Sequence, residues 1–145
     1  MVAEYSVWQQ GVEVNYAALC EEKKDGLHIL RLMGQTSVVY IPQMIDGYEV
    51  KVIGEYCFSA RNNCKNRTSD NDWEKMEKLA RDRGMNELSG DYVEQVILPD
   101  SVHELCSYAF YNCRKLKCIE FGRSLDIVNN LSLIHISEPT RLLSI

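Results

Sequence analysis

The chain is expected to fold as an α/β repeat solenoid: a short stack of β-rich coils with an N-terminal β-hairpin and one inserted helix. Three observations lead there. Stretches 37–60 and 93–113 set out their apolar residues, proline and aromatics in the same order. A third stretch, from Leu116, repeats the second at a constant offset of 23 residues. The segment between the first two carries a single helical stripe. A fixed period in the twenties marks a solenoid whose units each bring a short strand and a turn and cannot bury their apolar face alone.

The hairpin comes first. In VEVNYAALC (12–20), Val12, Val14, Tyr16, Ala18 and Cys20 share one face at period two. LHILRLM (27–33) is a second extended apolar run, and EEKKDG between them is a polar turn ending in Asp25-Gly26. Strand, turn and strand read as a hairpin. A helix through YAALCEEKK is the competing reading, since Ala, Leu, Glu and Lys are good helix formers.

The first repeat follows in SVVYIPQMIDGYEVKVIGEYCFSA (37–60). Val38 to Ile41 form a short strand that stops at Pro42, which cannot donate to a ladder. Asp46-Gly47 is a turn, Val50 and Val52-Ile53 a second extended piece, and Tyr56, Cys57 and Phe58 a compact return. VEQVILPDSVHELCSYAFYNC (93–113) says the same again. Ile41-Pro42 matches Leu98-Pro99, Val50 matches Val102, Ile53 matches Leu105, Tyr56 matches Tyr108 and Phe58 matches Phe110. The earlier copy has five extra residues around Asp46-Gly47. In the third copy, LKCIEFGRSLDIV, Leu116, Ile119, Phe121, Leu125 and Val128 match Val93, Val96, Leu98, Val102 and Leu105. That register predicts that 93–128 stack on 37–60 as neighbouring coils despite the insertion, with Phe58 and Phe110 in contact or one layer apart.

The insertion runs from about 61 to 92. Its SDNDWEKMEKLARDRG predicts a helix over about 70–83, with Ser69 as N-cap, Asp70 and Asp72 in the first turn and Gly84 past the end. Trp73, Met76, Leu79 and Ala80 form one apolar stripe expected to dock on the solenoid. Glu74 with Lys78 and Glu77 with Arg81 are pairs in the favourable order. Seven bases balance seven acids, so the insertion is not a charged arm.

The C-terminal LSLIHISEPTRLLSI leaves every earlier pattern. It resembles sequencing-adapter DNA translated in frame, which marks residues from about 132 as non-native. The organisation expected is therefore one domain over 1–131 and a non-native tail over 132–145. Pro139 and the loss of register argue against a regular strand in that tail.

IGEYCFSA (53–60) and ILPDSVHELCSYAFYNCRKLKCIEF (97–121) resemble the BspA-type leucine-rich repeat. Pro99, Ser101, Val102, Tyr108, Ala109, Phe110 and Cys113 fall on its pattern, whereas Cys106 stands where the pattern prefers Gly and Leu105 where it prefers Ile. The resemblance covers about 37–60 and 93–128. It implies a curved leucine-rich-repeat solenoid with short parallel strands, no catalytic residues and no cofactor, serving as a binding surface, in many members on bacterial or protist cells. It implies nothing about the helical insertion.

Composition bounds the function. The 145 residues carry 16 bases and 21 acids, a net charge of −5, which argues against general nucleic-acid binding. No apolar run approaches the length of a membrane span. The N-terminus lacks the basic and apolar regions of a secretory leader, so a chain starting at Met1 is expected in the cytoplasm with its six cysteines reduced.

Cys57 and Cys64, and Cys106 and Cys113, are spaced alike, but they do not align in the repeat, and zinc prefers closer pairs. They read as small buried apolar residues, with a disulfide in an exported relative as the alternative. No Gly-rich phosphate loop or nucleophile motif accompanies His28, His103 and His135, which read as solvent-facing; no metal, cofactor or enzymatic activity is expected. The Asn66-Arg67-Thr68 sequon carries no weight in a cytoplasmic or bacterial chain. Candidate partner contacts are Gln95 and Glu120, which alternate with core positions, with Glu94 and Lys117 beside them. Tyr111 joins them as the aromatic whose counterpart is Ser59, and Trp73 as an anchor if it is not simply pinning the helix. The expected function is non-enzymatic protein–protein interaction; the alternative is a fragment of a bacterial adhesin-like cell-surface protein.

Overall fold

The computed structural model describes residues 1–60, 68–129 and 141–144. Strands β1 (Val2–Gln9), β2 (Val12–Lys23) and β3 (Gly26–Gly34) form an antiparallel meander. The expected hairpin is β2–β3, and the helical alternative through YAALCEEKK is overturned. β1 adds a third strand, joined to β2 by the two-residue turn Gln10-Gly11, both at positive φ. Tyr16, Ala18 and Cys20 face the main core, but Val12 at the tip is 60% exposed because no element covers that end.

Next come β4 (Val38–Tyr40), β5 (Met44–Ile45) and β6 (Tyr48–Ile53). β5 and β6 are the hairpin around Asp46-Gly47, whose φ values of 51° and 83° are those the residue pair favours. Helix α1 (Asp70–Arg83) has the expected bounds, with the Ser69 hydroxyl accepting from the Asp72 amide and Gly84 closing in the left-handed conformation. It is followed by β7 (Asn86–Glu87), β8 (Gln95–Ile97), β9 (Glu104–Leu105), β10 (Cys118–Phe121), β11 (Ile127–Val128) and β12 (Arg141–Ser144).

Two parallel ladders organise these strands. In the first, β4, β8, β10 and β12 lie side by side, with Val38 opposite Gln95, Gln95 opposite Cys118 and Cys118 opposite Arg141. In the second, β3, β6, β9 and β11 do the same, with Ile53 opposite Leu105 and Leu105 opposite Val128. The 23-residue step therefore sets the strand register wherever no insertion intervenes. Residues 93–128 stack on 37–60 as the register required. Phe58 and Phe110 are both fully buried, and their rings stack at 5.1 Å and 10°. Val39, Val96 and Ile119 fill the core behind the first ladder, and Val50, Ile53, Val102 and Leu105 behind the second.

The insertion helix docks elsewhere than expected. Trp73 and Met76 pack on Ala17, Leu19 and Met33, on the face of the meander turned away from the main core. The meander is thus buried on both sides, and the stripe meets the hairpin rather than the repeat coils. Ala80 is only partly buried in the contact. β7, also within the insertion, extends the meander by pairing with β3.

The meander also closes the start of the first ladder. The free edge of β4 is met by side chains: Gln9 Nε2 donates to the Val38 carbonyl at 2.9 Å and the Tyr5 hydroxyl to the Tyr40 carbonyl at 2.9 Å. The Tyr16 hydroxyl accepts from the Tyr40 amide at 3.2 Å and donates to Gln9 Oε1. Burial pushes the Tyr16 phenol up to about 12, which keeps the hydroxyl a donor.

At the other end, β12 continues the first ladder at one more step of 23. The expectation that the tail holds no regular strand is overturned for Arg141–Ser144. The free edge of β10 presents main-chain groups that any extended segment can satisfy, a demand invisible in a side-chain pattern. The rest of the tail, with His135 and Pro139, lies outside the described residues, as do Cys64 and Asn66.

Candidate binding surface

Along the first ladder, side chains alternate between core and surface. Val39, Val96 and Ile119 point in, while Val38, Tyr40, Gln95, Ile97, Cys118 and Glu120 are half-buried on the outer side. Gln95 and Glu120, on adjacent strands, are brought together: Gln95 Nε2 donates to Glu120 Oε1 at 3.1 Å. Beside them Lys117 pairs with Glu94 at 3.0 Å, and this ammonium holds the Glu94 carboxyl below its ordinary value. The outer face is a mixed apolar and polar strip with a fixed hydrogen-bonded pair.

Tyr111 is not on that strip. It lies in the return segment after β9, edge-on to Tyr108 at 5.5 Å and to Tyr56 at 6.4 Å, while Tyr56 and Tyr108 stack at 5.2 Å. Both stacked tyrosines have φ 60°, uncommon for a bulky residue, and they occupy the same repeat position. Trp73 is 6% exposed, most of its surface taken up by the helix–meander contact. It pins the helix to the meander, the first of the two roles its position allowed.

Arg31 is the residue the sequence reading missed. It is 1% exposed, and its Nη1 lies 3.1, 3.2 and 2.7 Å from the carbonyls of Tyr56, Cys57 and Ser59. Its Nε donates to Glu87 at 3.0 Å. One guanidinium thus ties β3, the first return segment and β7 together. The only signal was a base inside an otherwise apolar run, LHILRLM.

The described histidines and cysteines are placed as follows. His28 and His103 are half-buried on opposite oxygens of Asp25, at 3.0 and 3.3 Å, rather than simply facing solvent. Cys106 and His28 both line a polar pocket of about 220 Å³. Cys106 Sγ lies 3.9 Å from the Glu104 carboxylate. Burial pushes the Cys20 and Cys113 thiols up to about 12. Among the described residues the cysteines are free thiols, and no group of three or more His, Cys, Asp or Glu side chains is placed to hold a metal ion.

Asp25 gives a pH-dependent expectation. The hydrogen bond from His28, with a smaller contribution from His103, holds its carboxyl below the usual range against a modest desolvation penalty. A lowered native pKa adds stability that is present above the unfolded aspartate value of about 3.9 and is lost as pH falls through the native one. Thermal unfolding of Asp25→Asn against the parent should show a gap above that value that closes as pH falls through the native one. The gap should be small, since Asp25 is 46% exposed. A gap that persists at acid pH would refute the linkage.

Two parallel ladders, each gaining one short strand per 23-residue step, define a strand-built repeat protein. Residues 84–140 match the family described as BspA type Leucine rich repeat region (6 copies). The match begins at the end of α1 and runs through β8 to β11 into the tail. No curated protein and no solved structure matches the chain. Leucine-rich-repeat domains of this family are in general non-enzymatic modules of protein interaction or surface adhesion. No helix among the described residues is long and apolar enough to cross a membrane.

Proposed function

We propose that the two ladders are the two sides of a short leucine-rich-repeat solenoid, and that the outer strip of the first ladder binds a protein partner without catalysis. The observation that carries this is the Gln95–Glu120 pair, half-exposed above buried Val96 and Ile119 and flanked by Tyr40 and Ile97. A strip of this kind holds a partner through many modest contacts from a rigid frame. Tyr111 and the stacked tyrosines form a second, neighbouring contact. The adhesive reading uses the same strip. It is favoured by the surface or secreted setting of many members of the family, which also favours that location over the cytoplasm.

The test is site-specific crosslinking in the source cells, with a photoreactive residue at Gln95, at Glu120 or at exposed Arg114 as control. The first two positions should capture the same protein, and a Gln95→Arg, Glu120→Arg variant should bind it at least about tenfold more weakly with unchanged melting. Equal capture from Arg114, or unchanged affinity of the variant, would refute the strip as the binding surface.

A further inference from the structure

We infer that the chain self-associates through the free edge of β1, forming a two-fold dimer in which the meanders of two copies join into one continuous sheet. The inference is independent of the partner strip. Met1 and Cys20 exchange both main-chain hydrogen bonds, at 2.8 and 2.9 Å. Antiparallel pairing alternates from there, so Ala3, Tyr5, Val7 and Gln9 bond to β2, while Val2, Glu4, Ser6 and Trp8 turn their N–H and C=O groups outward. Among the described residues none of those outward main-chain groups has a partner.

Exposed edges are ordinarily blunted by proline, lysine, a bulge or a covering element. β1 has none of the first three: VAEYSVWQ is uninterrupted, and its pairing to β2 is regular over all eight residues. Its one outward charge, Glu4, is already paired with Arg83. Trp8, at the end of the edge, is 72% exposed, the most exposed of the large apolar side chains among the described residues.

The occupant that fits is a second copy, because the strand complements itself. In an antiparallel two-fold pair the outward residues must oppose one another. Centring the pair on Glu4 puts two carboxylates face to face, which is unfavourable. Centring it on Ser6 sets Trp8 against Glu4 and leaves Val2 unpaired. Centring it on Tyr5 pairs every outward residue: Trp8 lies against the partner's Val2 and Glu4 against the partner's Ser6. That register covers Trp8 and separates the charges. An isologous two-fold contact is also the commonest way for identical chains to associate.

Sedimentation of the full chain over a concentration series tests this. A monomer–dimer equilibrium is expected, with Trp8 emission shifting to the blue as dimer forms over the constant background of buried Trp73. Ser6→Pro removes an outward N–H without touching the β1–β2 ladder, and should raise the dissociation constant at least about tenfold, since the two-fold loses two hydrogen bonds. Trp8→Lys, at a position where the fold buries little, should weaken the dimer comparably and leave melting of the dilute chain unchanged. A chain that stays monomeric throughout overturns the proposal. So does a dimer indifferent to both variants, or one abolished instead by Ile127→Lys and Val128→Lys at the opposite end of the sheet.

Discussion

Phe110→Ala should lower the unfolding free energy by about 3–5 kcal/mol, as expected for emptying a fully buried aromatic site. The ring is packed face to face on Phe58 at the junction between the first and second coils, so the loss combines a cavity with a broken stack. Main-chain bonds join the same two segments, Phe58 N to the Ala109 carbonyl at 2.8 Å and Ala60 N to the Tyr111 carbonyl at 3.3 Å. The ring therefore supports a hydrogen-bonded seam as well as its own contact. Phe58→Ala should cost a similar amount, and the double variant less than the two singles together, because each single already destroys the stack. Urea titration of the four proteins measures this. A loss below about 1 kcal/mol for Phe110→Ala would mean that the coils are not held at this layer.

Arg31→Ala should cost about 3–5 kcal/mol by a different route, through buried carbonyls left without a donor and the void of the deleted stem. Three carbonyls of the first return segment converge on its Nη1. The ion pair with Glu87 is the smaller part, because that carboxylate is well exposed, and Glu87→Gln should cost under about 1 kcal/mol. Arg31→Lys should recover only part of the loss, since one ammonium cannot serve the carbonyls and β7 in the same fork geometry. The decisive comparison is the stability of Arg31→Ala against Glu87→Gln; equal losses would show that the ion pair, not carbonyl capping, is what matters.

Much of this was legible in the chain because local chemistry and the global fold agree. Asp46-Gly47 is a hairpin turn by conformational preference, Ser69 and Gly84 bound a helix by their capping geometry, and the recurrent apolar positions of the coils set the strand register. β1 is marked only by the alternation of Ala3, Tyr5 and Val7, that of a half-buried strand, in a segment with no turn or repeat signal beside it. The docking face of α1 is marked only by Ala17 and Leu19, apolar residues between the core-facing ones that signal burial of β2 on both sides. Arg31 was not legible at all in kind. Its partners are main-chain carbonyls 25 to 28 residues away, and a carbonyl has no letter in the sequence. The candidate strip was half legible: alternation placed Gln95 and Glu120 outward, but Trp73 carries the same signature whether it anchors a partner or a helix.

The insertion between the first two coils bears on how the molecule assembles. Strands β8 and β10 are 23 residues apart in register, β4 and β8 57. By the logarithmic law of loop closure, the longer span costs only about 0.8 kcal/mol more than the shorter. That is less than the Phe58–Phe110 layer supplies across the same junction. The second and third coils should therefore find each other first, being nearest along the chain, and the first coil should join afterwards with its meander and helix already attached to it. A repeat array can thus carry a folded excursion between two of its coils with little thermodynamic consequence, and the trace it leaves is in the order of folding.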